Sequence, residues 1–93
     1  MRTIDRSTAF KRDFKREAKG RHRSTLADDL KNILLALLSD LPLDGKYRDH
    51  DLSGDWAGYR ECHLKPDLLL IYRKTDLDVL RLARLGSHSE LFG

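Results

Sequence analysis

A single cysteine, Cys62, in 93 residues excludes an internal disulfide framework and fits, without requiring, a reducing compartment. Long apolar runs are missing as well. The longest near the middle of the chain, Ile33 to Leu38, falls far short of a bilayer span, and no basic segment leads into an apolar one as in a secretory leader. The expectation is a soluble, cytoplasmic protein with no membrane partner. Repeats and low-complexity tracts are also absent, and the length suits one modest core, so a single domain, 1–93, is expected. Charge is present and unevenly spread: the net is +3 with a pI of about 9.2, but residues 1–23 hold nine Lys or Arg against three acids, a net of +6, which leaves −3 for the rest. A cationic end of this kind attracts polyanions non-specifically, whether nucleic acid or an acidic protein; the plain alternative is a solvated helix face.

Periodicity orders the chain into two halves. Arg2 to Arg6, with β-branched Thr3 and Ile4, reads as a short strand ahead of the helix-capping candidate Ser7. From Ser7 to about Lys19, Phe10, Phe14 and Ala18 recur every four residues beside a stripe of Lys11, Lys15 and Lys19, an amphipathic helix with a basic face that Gly20 breaks. A second helix is expected from about Thr25 to Leu41, because Leu26, Leu30, Ile33, Leu34, Leu37, Leu38 and Leu41 share one face; Ser24 or Thr25 can cap it and Pro42 stops it. Leu43 to Gly58 reads as irregular, with one short strand around Leu52. Three strands follow, Tyr59 to Leu64, Leu68 to Tyr72 and about Leu77 to Leu85, joined by turns at Lys65-Pro66-Asp67 and Lys74 to Asp76. The expected fold is α+β: two N-terminal helices packed on a small antiparallel sheet of three to four strands, the fourth being the N-terminal one.

Three of the four histidines, His50, His63 and His88, fall in the second half. Histidine exchanges protons near neutral pH, which suits general acid and base roles. Cutting RNA needs both: a base for the 2′-hydroxyl, an acid for the departing 5′-oxygen, and a cation for the charge on phosphorus between them. Histidines with Arg84 supply that set without a cofactor or metal. The plain reading of three histidines in a small domain is surface or structural use. If Tyr59 to Leu64 is a strand, His63 shares a face with Glu61 and Tyr59 and lies opposite Cys62, which argues against a Cys–His nucleophile and for Cys62 as a small core residue. Asp67, at the mouth of the next strand, is placed to orient an imidazole or simply to turn the chain. His50, His63 and His88 match no compact metal-ligand spacing, so no metal site is expected. Tyr59, Phe92 and Arg60 are candidates for stacking on unpaired bases, whereas Phe10, Phe14 and Tyr72 read as core and Trp56 suits either use.

Taken in order, Tyr47-Arg48-Asp49-His50-Asp51-Leu52, Trp56-Ala57-Gly58-Tyr59-Arg60-Glu61-Cys62-His63, Pro66-Asp67, Leu70-Ile71-Tyr72 and the ending Arg84 to Gly93 form a set that resembles the YafQ group of RelE/ParE-superfamily toxins from bacterial toxin-antitoxin pairs. The resemblance spans nearly the whole chain. It implies a RelE-like fold and a ribosome-dependent messenger-RNA endonuclease, acting on message in the ribosomal A site and held inactive by an antitoxin of the DinJ/RelB kind. It places the family's active-site positions on His50, His63, Asp67, Arg84, His88 and Phe92. On that basis His50 or His63 is expected as base, His88 as acid, Arg84 as the phosphorane cation, Asp67 as an orienting carboxylate and Phe92 as a stacking ring, while Lys11, Lys15, Lys19, Arg21, Arg23 and Arg60 contact RNA or the ribosome. Two rivals belong to other classes: a ParE-like gyrase inhibitor, which lacks this histidine set, and a non-catalytic module that only binds the antitoxin.

Overall fold

The structure is a computed structural model that describes residues 2–75 and 78–93. Its elements are β1 (Thr3–Arg6), α1 (Thr8–Glu17), α2 (Leu26–Leu38), β2 (His50–Asp51), β3 (Arg60–Lys65), β4 (Leu68–Lys74), β5 (Val79–Gly86) and α3 (His88–Phe92). Single 3-10 turns lie at Gly45–Tyr47 and Gly54–Trp56. The five strands form one sheet in the order β1-β5-β4-β3-β2.

The α+β class holds, but the expected antiparallel sheet of three to four strands is corrected to a mixed five-stranded one. β1 pairs parallel with β5, Thr3 opposite Val79 through Arg6 opposite Leu82, and the remaining pairs are antiparallel. The extra strand is the two-residue β2, which falls at His50–Asp51 rather than around Leu52. Leu77 and Asp76, expected in the third strand and its turn, lie outside the described residues.

Both long helices form where the leucine and phenylalanine stripes place them. Ser7 caps α1, its Oγ accepting from the Phe10 N–H at 2.9 Å. Helix α1 ends at Glu17, short of Lys19. Helix α2 ends at Leu38 rather than Leu41, because Asp40 takes a left-handed conformation (φ 54°) and the Leu41 N–H returns to the Ala36 carbonyl at 2.9 Å. That closure is a Schellman turn, which satisfies the last carbonyls and ends the helix before Pro42 is reached. Thr25 stands at the N-cap of α2 without a side-chain hydrogen bond.

Phe10, Leu26, Leu30, Ile33 and Leu37 meet Cys62, Leu64, Leu68, Leu70, Tyr72, Leu80, Leu82 and Leu85 in the main core, so α1 and α2 cover one sheet face. Burying each such aliphatic side chain contributes about 1.5–3 kcal/mol. The opposite face is thinner: Leu69, Ile71, Ala83 and Leu91 pack there with Leu52, Trp56 and Tyr59 at the margin. Only α3 lies on it among the described helices.

Candidate active site

Strand alternation sorts the chemistry onto that second face. In β3, Cys62 and Leu64 enter the helix-covered core, which leaves Glu61 and His63 on the other side. Strand register extends the set, since His50 stands opposite Glu61, and Glu61 opposite Ile71, which in turn faces Arg84. His63 pairs with Leu69, whose partner on β5 is Gly86.

His88 is delivered by α3. Ser87 and Glu90 form a reciprocal capping box, the Ser87 N–H donating to Glu90 at 2.8 Å and the Glu90 N–H to the Ser87 hydroxyl at 3.2 Å. This opens the helix at His88. Asp67, in the β3–β4 turn, then accepts twice on one oxygen, from the His88 N–H at 2.9 Å and from Nδ1 at 2.8 Å. These hydrogen bonds and the neighbouring positive charge of Arg21 hold the Asp67 carboxyl below its ordinary range.

The rings form a row. Centroids of His50 and His63 are 6.2 Å apart, those of His63 and His88 5.7 Å, and those of His88 and Phe92 6.5 Å. His63 is buried at 9 % exposure, while His50 and His88 are exposed. Phe92, 46 % exposed, ends the row with a ring open to solvent.

Glu61 is the residue that sequence reasoning left without a role. It is 4 % exposed, and one of its oxygens lies 3.2 Å from His63 Nε2 and 3.5 Å from His50 Nε2. His50 Nδ1 donates to the Arg48 carbonyl at 2.7 Å, which leaves Nε2 as its proton-accepting nitrogen in the neutral ring. Arg48 itself is left-handed (φ 51°), a costly conformation that turns the chain into His50. The signal for Glu61 was an acid two residues before His63 in a strand, hence on its face.

The sequence spacings of the histidines matched no metal signature, and the fold alters that reading. Ligand atoms of His50, Glu61 and His63 all lie within 4.8 Å of one another, a donor set of two imidazoles and a carboxylate suited to a late transition ion.

Two predicted residues are held by carboxylates. Arg84 Nε and Nη2 meet Asp13 of α1 at 2.7 and 3.2 Å. Arg60 is gripped by Asp49 through Nε and Nη2 and by Asp51 through Nη1, and the Tyr72 hydroxyl donates to the same Asp49. Because Asp49 and Asp51 flank His50, this clamp fixes β2 to β3. Burial and the Asp49 carboxylate push the Tyr72 phenol up, and burial pushes the Cys62 thiol up, which agrees with Cys62 as an unreactive core residue.

The basic residues divide. Lys11 and Lys15 border an apolar groove of about 640 Å³ walled by Ile4, Phe10, Phe14 and Leu34, on the helix-covered side. Arg21 borders a separate cleft with Asp67, Ser87 and Ser89, next to His88. Lys19 and Arg23 are exposed.

Residues 2–93 match the family described as bacterial toxin of type II toxin-antitoxin system, YafQ. The chain belongs to the YafQ toxin family. It is 42 % identical to the mRNA interferase toxin YafQ of Escherichia coli K12, over all of this chain and 98 % of that protein. Among solved structures it is similar to the E. coli DinJ–YafQ complex, with a TM-score of 0.84, 41 % identity and full coverage of both chains. It is equally similar to a copper-bound mutant toxin from Helicobacter pylori, with a TM-score of 0.85, 39 % identity, and 99 % and 100 % coverage. The E. coli YafQ relative is an mRNA interferase, that is, an endoribonuclease. No described helix is long and apolar enough to cross a membrane.

Proposed function

We propose that this YafQ-family toxin is an mRNA interferase that cuts message on the ribosome by histidine acid–base catalysis. The observation that carries this reading is the row His50–His63–His88 with a carboxylate at each end of its chemistry, Glu61 between the first two rings and Asp67 on the third.

The pair His50 and His63, joined through Glu61, takes the proton from the 2′-hydroxyl. The freed oxygen bonds to phosphorus, the bond to the 5′-oxygen breaks, and His88 gives that oxygen its proton, leaving a 2′,3′-cyclic phosphate and a 5′-hydroxyl end. With Nδ1 tied to Asp67, Nε2 is the nitrogen of His88 that serves this step. Arg84 offsets charge on the phosphorane, and the open ring of Phe92 stacks on a base beside the cut. Acid, base and cation are all side chains, and the reaction needs no metal in this reading. A transition ion on His50, Glu61 and His63 would occupy the base nitrogens and slow cleavage.

The partner reading follows from the other face. A DinJ/RelB-like antitoxin would lay an apolar, acidic segment into the groove of Ile4, Phe14 and Leu34, whose rim is Lys11 and Lys15. Lys11, Lys15, Lys19, Arg21 and Arg23 serve ribosomal RNA once the antitoxin is gone.

The test uses purified toxin with one message, free and on stalled ribosomes, in the presence of a chelator. Cleavage only on the ribosome, with cyclic-phosphate ends, is expected. Equal cutting of free message, loss of activity in the chelator, or intact message with gyrase-dependent DNA damage would each overturn part of the reading.

A further inference from the structure

Asp13 is a buried carboxylate in the middle of a basic helix, and the chemistry above makes no use of it. It is 3 % exposed. Each of its oxygens accepts twice: Oδ1 from Arg16 Nη1 at 3.0 Å and Arg84 Nη2 at 3.2 Å, Oδ2 from Arg84 Nε at 2.7 Å and the Leu85 N–H at 3.0 Å. No acceptor site is left for a substrate, so Asp13 is neither a base nor a ligand.

What it holds is a bulge. The β4–β5 register shifts between Ile71 and Tyr72, so that Ile71 faces Arg84 while Tyr72 faces Leu82, and Ala83 is the extra residue. Strict alternation would have sent Arg84 into the helix-covered core with Leu80 and Leu82; after the bulge Leu85 enters it instead. Helix α1 grips this irregularity from its N-cap to its last turn. The Ser7 N–H donates to the Leu82 carbonyl at 3.0 Å and its hydroxyl to the Ala83 carbonyl at 2.7 Å, Asp13 takes Arg84 and the Leu85 N–H, and Arg16 donates to the Leu85 carbonyl at 2.9 Å. Ser7 reaches the bulge from the N-cap position, and Asp13 and Arg16, three apart, are neighbours on the helix surface.

We infer that Asp13 is a positioning residue for Arg84: by fixing Nε and Nη2 it holds the guanidinium in one orientation and leaves Nη1 for the scissile phosphate. This rests on the role given to Arg84 above. A long, rotamer-rich side chain is thereby ordered before substrate arrives. Arg16 does not compete for the task, because it is also paired to Glu17 and Glu90, each at 2.8 Å.

The experiment is a double-mutant cycle on single-turnover cleavage of a ribosome-bound message. Asp13→Asn is expected to lower the saturating rate at least about tenfold with the half-saturating ribosome concentration unchanged, and Arg84→Ala by about 10². In the double variant the rate should equal that of Arg84→Ala alone, because Asp13 acts only through the guanidinium. Arg84→Lys keeps the charge but not the fork, so it should lose as much as Asp13→Asn; this arm stands if Asp13→Asn does not fold. Multiplying losses, a folded Asp13→Asn at the wild-type rate, or a fully active Arg84→Lys would overturn the inference. Wild-type cleavage by Arg84→Ala would overturn the assignment of Arg84 itself, and the inference with it, whereas a loss there beside a neutral Asp13→Asn overturns the inference alone.

Discussion

Replacing Glu61 by Gln removes one charge from a buried position and leaves the volume unchanged. The single carboxylate oxygen now 3.2 Å from His63 Nε2 and 3.5 Å from His50 Nε2 becomes a neutral amide oxygen, a weaker acceptor for both rings. A hydrogen bond to an ionised acceptor contributes about 1.5–3 kcal/mol. A neutral acceptor contributes about 0.5–1.5 kcal/mol, so the charge accounts for about 1–1.5 kcal/mol. Expressed at the transition state, at about 1.4 kcal/mol per factor of ten, that lowers cleavage about 5- to 10-fold. Stability moves the other way or not at all, because a carboxylate 4 % exposed no longer has to be desolvated. Single-turnover cleavage on stalled ribosomes, with thermal unfolding of the same samples, checks both. A transition ion should also bind more weakly, since the donor set loses its only carboxylate. A folded Glu61→Gln variant that cuts at the wild-type rate would refute the shared-carboxylate reasoning.

Asp67→Asn should lower cleavage by about 10² with little change in Tm, because His88 loses the ionised acceptor that orients its ring and favours its protonated form, while Asp67 is itself half-exposed. Gly86→Ala would bring a methyl group to 2.8 Å from Arg16 Nη2, 3.1 Å from Glu90 Oε1 and 3.3 Å from Leu91 Cδ2, so these side-chain ends must give way; unfolding assays should show a loss of about 1 kcal/mol, and cleavage should fall because Glu90 caps the helix that opens with His88. Acid titration of stability isolates Asp13. Burial raises its pKa, but hydrogen bonds from Arg84 and the Leu85 N–H and the charges of Arg84 and Arg16 lower it further, to a net value below the ordinary 3.8. Its stabilisation is therefore complete above about pH 4 and is lost as pH falls through the depressed folded value, a component that Asp13→Asn should lack. An unchanged acid limb in that variant would contradict this.

The parts of the fold that were legible are those written in local periodicity. The α2 leucines, the Ser7 cap and the alternation that separates Cys62 from His63 and Glu61 each follow from residues within a few positions of one another. The five-residue α3 is too short to show a period, although Ser87 and Glu90 carried its capping box. Parallel pairing of β1 with β5 joins opposite ends of the chain and leaves no local mark. Leu41 fits the α2 stripe but lies beyond the helix because Asp40 turns left-handed, a backbone choice that hydrophobic spacing does not record.

The candidate site shows the same divide. Residue types singled out His50, His63 and His88, and the resemblance joined Asp67, Arg84 and Phe92 to them. The partners of Glu61, Asp49 and Asp13 emerged only in three dimensions, since each works through a residue on another strand or helix. One bulged residue, Ala83, decides which way Arg84 turns. Nothing in the alternation of β5 announces it.

The central claim is that His88, set by Asp67, protonates the leaving oxygen. Mapping cleavage sites and end groups on a translated message with wild type and His88→Ala tests it most directly. The account predicts cyclic-phosphate ends from the wild type and a rate lower by about 10²–10⁴ from a folded variant that still binds the ribosome. Cleavage by His88→Ala at the wild-type rate and sites would contradict it.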